Sequence, residues 1–273
     1  MSEAPQARSE IRALMRAHGL SPNKRLGQNF LADPNIVRRI VQEADVSGAL
    51  VVEVGAGTGT LTAALASEAE FVVAYELDRG LVDLLADTVG HLANVDVRQA
   101  DAAEVDFSDE LDGYPWSMVA NLPYNVGTGI ILDVLRHAPS IERLVVMVQS
   151  EVADRLLSEP GSRTYGLPSV VAGLHATGRR LFSVPPQVFE PAPRVGSAVV
   201  LLNRISSPPY AERAMEIAGA GFGQRRKMLR RSLASLMTDP SAILDAAGVD
   251  PTARAEQLTP MDYVAIARAE ENP

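Results

Sequence analysis

Asn121, Leu122, Pro123 and Tyr124 end a short apolar run, Met118-Val119-Ala120, and their types suit one chemical task. The exocyclic amine of a base such as adenine is a poor nucleophile, because its lone pair is delocalised into the ring. An enzyme that alkylates it must localise that pair with hydrogen-bond acceptors aimed at the two N–H groups. Asn121 offers a side-chain oxygen. Leu122, driven toward extended φ/ψ by the proline after it, can aim its backbone carbonyl at the same point. Tyr124 is then placed to stack on the base. The same tetrapeptide also reads as a strand ending in an Asn-x-Pro turn with a half-buried tyrosine.

Three more features stand at comparable places. The β-branched run Leu50-Val51-Val52-Glu53-Val54 enters Gly55-Ala56-Gly57-Thr58-Gly59 and a helix to about Ala66. Such glycines permit a tight turn and let a ligand approach backbone N–H groups at a helix N-terminus. Glu76 follows a strand at 71–75, where a carboxylate can accept both hydroxyls of a ribose. Asp101-Ala102 follows a strand at 95–99, where a carboxylate can accept an adenine amine. No Gly-Lys-Ser/Thr loop is present, which argues against an NTPase.

The elements that must position these residues alternate. Helices are expected at 79–92, 128–136 and 151–157, and strands at 117–120 and 144–148, giving a parallel, doubly wound Rossmann-like α/β sheet. Ligands of such sheets bind beyond the carboxyl ends of the strands. Gly55, Glu76, Asp101 and Asn121 should therefore converge on one cleft. Strand-like runs at 175–182 and 197–202 suggest an antiparallel hairpin at one edge, with a proline-rich connection. Phe189 in that connection is either core or the second face of a base clamp.

At 273 residues and 47% hydrophobic, the chain can bury a substantial core. It has no cysteine, so disulfides and thiolate sites are excluded, and its four scattered histidines lack metal-ligand spacing. No metal is expected. No run is long and apolar enough to span a membrane, and Met1 to Gln6 lacks a signal-peptide layout, so a cytoplasmic protein is expected.

The net charge of −9 is unevenly placed: residues 67–112 hold thirteen acidic residues against two arginines. Residues 1–24 read as a mobile, basic N-terminal arm. Asp33-Pro34 supplies an N-cap and first-turn proline for a helix carrying Ile36, Val37, Ile40, Val41 and Ala44. After Ser206 the composition shifts to helix formers, so residues 25–206 are expected to form the α/β domain and 207–273 a small helical one. Helices are expected at 210–222, 225–237, 241–247 and 260–269. The second would carry Arg225, Arg226, Lys227, Arg230 and Arg231 on one face and Met228, Leu229, Leu233 and Leu236 on the other, a surface suited to a structured polyanion.

In order, Gly27-Gln28-Asn29-Phe30-Leu31, Glu53-Val54-Gly55-Ala56-Gly57-Thr58-Gly59, Glu76-Leu77-Asp78, Gln99-Ala100-Asp101-Ala102, Asn121-Leu122-Pro123-Tyr124-Asn125, the run from Phe189 to Ser197, and Arg225-Arg226-Lys227 resemble the rRNA adenine N6,N6-dimethyltransferase family. The likeness spans roughly residues 24–268 and is nearest the small-subunit members. It implies an S-adenosylmethionine-dependent enzyme acting on two adjacent adenines near the 3′ end of 16S rRNA in a small-subunit intermediate; a monomer is expected.

The resemblance implies that Gln28, Asn29 and Leu31 close over the methionine end of the cofactor. Gly55 and Gly57 border it, Glu76 and Leu77 hold its ribose, and Asp101 and Ala102 its adenine. Asn121 accepts from the target amine, Tyr124 and Phe189 hold the flipped base, and the five basic residues of 225–231 meet RNA. Gly127 and Ser150 depart from the family, which commonly has serine and lysine there. A large-subunit rRNA adenine methyltransferase and a ribosome-assembly or transcription factor that mainly binds stay open as alternatives.

Overall fold

The computed structural model describes residues 6–111 and 113–271, without the Lys24 side chain. Residues 1–5 of the expected arm, Asp112 of the acidic stretch and residues 272–273 of the expected helical domain lie outside the described residues. Two compact units are drawn from Met1–Ala153 with Arg179–Asn203, and from Asp154–Gly178 with Arg204–Pro273. The second takes in 154–178, which the boundary read from composition leaves with the first. No helix among the described residues is long and apolar enough to cross a membrane.

The strands are β1 (Phe30–Leu31), β2 (Leu50–Val54), β3 (Phe71–Glu76), β4 (Val95–Gln99), β5 (Trp116–Asn121), β6 (Ile141–Gln149), β7 (Ala176–Val184), β8 (Phe189–Glu190) and β9 (Ser197–Arg204). The helices are α1 (Arg8–Ala17), α2 (Pro34–Ala44), α3 (Thr60–Ala66), α4 (Arg79–Thr88), α5 (Phe107–Glu110), α6 (Gly127–His137), α7 (Ser150–Leu156), α8 (Leu167–His175), α9 (Ala211–Gly223), α10 (Leu229–Ser232), α11 (Pro240–Ala246) and α12 (Pro260–Glu271).

Seven strands form one sheet in the order β4-β3-β2-β5-β6-β9-β7, with β1 and β8 as a separate two-stranded ribbon. β2 pairs in parallel with β3 and with β5, β3 with β4, and β5 with β6, while β9 runs antiparallel to β6. The chain leaves β2 for β3 on one side and returns to β5 on the other, so the sheet reverses its winding between β2 and β5. Val51, Val52, Val72, Val119, Val145 and Val146 are all buried, as expected of parallel strands covered on both faces. Asp33 caps α2 by accepting from the Asn35 N–H, with Pro34 in the first turn.

In the second unit, Arg213 of α9 donates from Nε and Nη2 to the two carboxylate oxygens of Glu270 in α12, both at 2.7 Å. Helix α8, unexpected from sequence, lies so close to α12 that a Cβ on Gly173 would meet Pro260 at 2.8 Å. The helix expected over 225–237 is corrected: only Leu229–Ser232 is α-helical, and Arg225, Arg226 and Lys227 sit in the turn before it. Met228 is extended at ψ 147°, and the N–H groups of Leu229 and Arg230 donate to the carbonyls of Ala253 and Pro251 instead of continuing a helix. Of the expected apolar face, Leu229 and Leu233 are buried, while Met228 is exposed and Leu236 only partly buried; Met237 is buried beside them.

Within the stretch read as an arm, α1 buries Ile11 and Met15 against Phe30, Leu81 and Leu84. Arg8 donates to the carbonyls of Gln187 and Phe189, and Arg12 pairs with Glu190 at 2.8 Å. The packing of two apolar residues one turn apart holds this helix, since exposed ion pairs add little. Replacing Ile11, which is 0% exposed, by alanine is expected to cost about 3 kcal/mol and to speed amide exchange across α1. Hydrogen exchange read by mass spectrometry checks this; wild-type protection of α1 would show that the contact does not hold it.

Candidate active site

Residues 26–30, 55, 57, 76–77, 100–102 and 121–126 line one cleft of the first unit, with Tyr75, Leu81 and Ile130 behind them. These residues come from β1, β2, β3, β4 and β5 and the loops leaving them, around the place where the sheet reverses its winding. Gln28, Asn29, Gly55, Gly57, Glu76, Leu77, Asp101, Ala102, Asn121, Leu122, Pro123 and Tyr124 are thus brought together.

Asn121 ends β5, and its Nδ2 donates to the backbone carbonyl of Asn29 at 3.1 Å. A carbonyl can only accept, so this contact takes the nitrogen end of the amide and leaves Oδ1 as the acceptor end. The Leu122 N–H donates to Met147 O at 3.1 Å, anchoring the residue to β6, while the N–H groups of Val126 and Gly127 close a turn on Pro123 O. A Cβ on Gly127 meets that of Leu122 at 3.0 Å, so α6 starts tight against the acceptor turn. Tyr124 is half-buried, and its hydroxyl lies 2.5 Å from Ser197 Oγ. Burial raises the Tyr124 pKa, with the Ser197 hydrogen bond acting against it.

The glycine loop is built for close approach. Gly55 and Gly57 adopt φ of +75° and +59°, and added Cβ atoms would meet Pro123 at 3.3 Å and Phe30 at 3.0 Å. Glu76 is 6% exposed, yet its carboxylate is not orphaned: Oε2 accepts from Gly57 N at 2.9 Å and Oε1 from Asp78 N at 3.0 Å. Burial raises its pKa, and these backbone donors oppose the rise. Asp101 accepts from Ala103 N at 3.0 Å through Oδ1. Gln28 spans from Asp78 Oδ2, to which its Nε2 donates at 3.0 Å, to Asn23, whose N–H its Oε1 accepts at 2.7 Å.

One expected site residue is corrected: Phe189 is 0% exposed and belongs to the main apolar core instead of the cleft. Leu31, opposite it across the β1–β8 ribbon, packs in the same core and also lines a small recess with Gly55, Gly57 and Asn121. Side chains alternate along a strand, so Phe30, which lines the cleft, sends Leu31 to the other face, and Phe189 opposite Leu31 shares that face. The basic residues Arg225, Arg226, Lys227, Arg230 and Arg231 are all exposed in the second unit. Arg225 is tied to Glu256 at 2.5 Å and to Arg163 O. At Ser150, where the family commonly has lysine, Arg180 of β7 donates to the backbone carbonyl at 3.4 Å.

Residues without an assigned role in sequence also matter here. Phe30 forms cleft wall, Ser197 holds Tyr124, and Gln6 donates to Thr60 Oγ1 at 2.8 Å and to Thr58 O at 2.9 Å, joining the N-terminal segment to the glycine loop. A readable signal existed for Ser197, a polar residue in phase with apolar Val199 and Leu201. None existed for Gln6, because its partners lie more than fifty residues away.

Glu53, inside β2, is 1% exposed, and its Oε2 has no hydrogen-bond partner. Burial, with the charge of Glu76 adding, pushes its pKa up from 4.5 to about 8.

A model of the ribosomal RNA adenine dimethylase family matches residues 19–270. The chain is 46% identical over 274 residues to the ribosomal RNA small subunit methyltransferase A of Nocardia farcinica (strain IFM 10152), covering 95% of this chain and 93% of that relative. It is 45% identical to the protein of that name from Kineococcus radiotolerans (strain ATCC BAA-149 / DSM 14245 / SRS30216), covering 94% and 89%. Among solved structures, the 23S rRNA methyltransferase ErmE matches with a TM-score of 0.69 at 27% identity, covering 89% of this chain and 100% of that one. A dimethyladenosine transferase from Plasmodium falciparum shares the fold, with a TM-score of 0.74 at 22% identity, covering 87% and 95%.

The Glu53 carboxyl gives a pH signature. Between pH 4.5 and about 8 the unfolded chain has released this proton and the folded chain keeps it. The group's contribution to stability is therefore complete below the lower value and is lost as pH rises toward the upper one. Glu53→Gln is expected to remove this loss, on the order of a few kcal/mol, and to make the protein relatively more stable near the upper pH. Urea denaturation at several pH values checks it; the same pH slope in variant and wild type would show that Glu53 ionises normally.

Proposed function

Because the chain belongs to the ribosomal RNA adenine dimethylase family, we propose that it transfers methyl groups from S-adenosylmethionine to N6 of two adjacent adenines near the 3′ end of 16S rRNA. The product is N6,N6-dimethyladenine, and the substrate is a small ribosomal subunit or its precursor. The observation that carries the reading is the Asn121 amide, whose nitrogen is occupied by Asn29 O so that its oxygen is left as the acceptor end, in the same cleft as Leu122 and Tyr124.

The residues present fit the cofactor. Gly55 and Gly57 line the cleft in a left-handed turn that packs against Pro123 and Phe30, and Glu76 is a fixed carboxylate in the same cleft able to accept further hydrogen bonds from a ribose. Gln28, Asn29, Asp101 and Ala102 line the same cleft, where the first two would hold the methionine end of the cofactor and the last two its adenine. When bound, S-adenosylmethionine supplies an electrophilic methyl group on a sulfonium.

The rest is the work of this chain's residues. Asn121 Oδ1 and Leu122 O accept from the two N–H groups of the target amine and concentrate its lone pair on nitrogen. Tyr124 stacks on the base and offsets part of the few kcal/mol needed to take it out of its helix. Holding nucleophile and methyl in line supplies most of the acceleration, and the nitrogen becomes acidic as it gains the methyl, so early proton removal is not required. Exposed Arg226, Lys227, Arg230 and Arg231 offer cations to the RNA backbone, in the cytoplasm where ribosomes are built.

Purified protein with labelled S-adenosylmethionine is expected to label unmethylated small subunits and not large ones. The likeness to ErmE makes the opposite result meaningful, since label confined to 23S rRNA would overturn the substrate. Asn121→Ala is expected to lower kcat about 100-fold with cofactor affinity retained, and full activity would remove its assigned role. Changing Arg226 and Arg230 together to glutamate should weaken subunit binding and flatten its salt dependence. Unchanged binding would make the basic turn an ordinary solvated surface.

A further inference from the structure

Ser197 opens β9, is 0% exposed, and points its hydroxyl at the phenol of Tyr124 over 2.5 Å. A buried hydroxyl at the head of the apolar run 198–202 costs desolvation unless it is hydrogen-bonded, and the tyrosine satisfies it. The serine itself cannot drift: it is in register with Gln149 across the β6–β9 pairing, and the carbonyl of Gly196 before it accepts from Ser150 N at 2.9 Å. Tyr124 sits on the turn after β5 and lines the cleft beside Asn121 and Leu122. A rigid sheet position thus holds a ring carried by a loop. With Phe189 in the core, no second ring from the β8 segment shares that work.

We infer that Ser197 is a positioning residue which, by tethering the Tyr124 hydroxyl, governs how far the reaction proceeds from monomethyl to dimethyl product. This rests on the reading that Tyr124 carries the target base. An unmodified adenine amine has two N–H groups, so Asn121 and Leu122 orient it from two directions. After one transfer a single N–H remains, the group is bulkier, and the methyl already present must point away from the donor. The second transfer therefore leans more heavily on the ring that holds the base, and small misplacements are costly in a reaction driven by positioning.

The test uses wild type, Ser197→Ala, Tyr124→Phe and the double variant on unmethylated small subunits. RNA is digested to nucleosides, and N6-methyladenine and N6,N6-dimethyladenine are counted over time. Each single variant is expected to raise the mono-to-dimethyl ratio roughly tenfold while slowing the first transfer much less. The double variant should match the worse single one, because both changes remove the same hydrogen bond. A ratio unchanged from wild type in Tyr124→Phe, or effects that multiply in the double variant, overturns the inference. Tyr124→Phe leaves the core untouched and decides the matter if Ser197→Ala does not fold. Failure of wild type to form dimethyladenine on these subunits overturns the substrate reading as well, whereas wild-type activity with unchanged ratios sinks the tether alone.

Discussion

The hydrogen bond from Asn121 Nδ2 to Asn29 O is the constraint on which the cleft depends. An amide has a donor end and an acceptor end, and the methyl-transfer reading needs the acceptor end turned to the substrate. A backbone carbonyl on the other side settles the orientation. The loop carrying that carbonyl therefore fixes which end of the Asn121 amide is left as acceptor. Asn29 Nδ2 donates to Gly27 O, and Gly27 adopts φ +69° with so little room that an added Cβ would meet Asn125 Oδ1 at 3.0 Å. Behind the loop, Phe30 is backed by α1, and Leu31 by Phe189. Leu31 and Phe189 thus support the loop whose carbonyl holds the Asn121 amide.

Two acidic residues under the glycine loop show how burial and hydrogen bonding divide the same chemistry. Glu76 accepts two backbone N–H groups, donors that favour its ionised form. Glu53, in the middle of a strand, has an unpaired oxygen and a pKa pushed up to about 8, so at neutral pH it is mostly uncharged. Burial raises both carboxyls, and the charge of Glu76 adds to the rise at Glu53, while the backbone donors oppose the rise at Glu76.

The periodicities in the chain determined a great deal. Alternating strands and helices, a glycine run after β2 and polar residues at the ends of β3, β4 and β5 were enough to place Gly55, Glu76, Asp101 and Asn121 in one cleft, because a parallel sheet delivers all its strand ends to the same edge. Asp33-Pro34 marked the start of α2 because capping is local. Tertiary structure decided what depends on partners far along the chain. The helix read over 225–237 gave way where its N–H groups met the carbonyls of Pro251 and Ala253. Helix α8 was hidden in an apolar, glycine-flanked stretch with no clear period. Leu31 and Phe189 turned to the core because the ribbon register put them on the same face, and Ser197 met Tyr124 only because β9 runs antiparallel beside β6. Residue types and spacing state what chemistry is possible at a strand end. Which neighbour holds an amide or a ring there is set by register and packing over long sequence distances, which no local pattern contains.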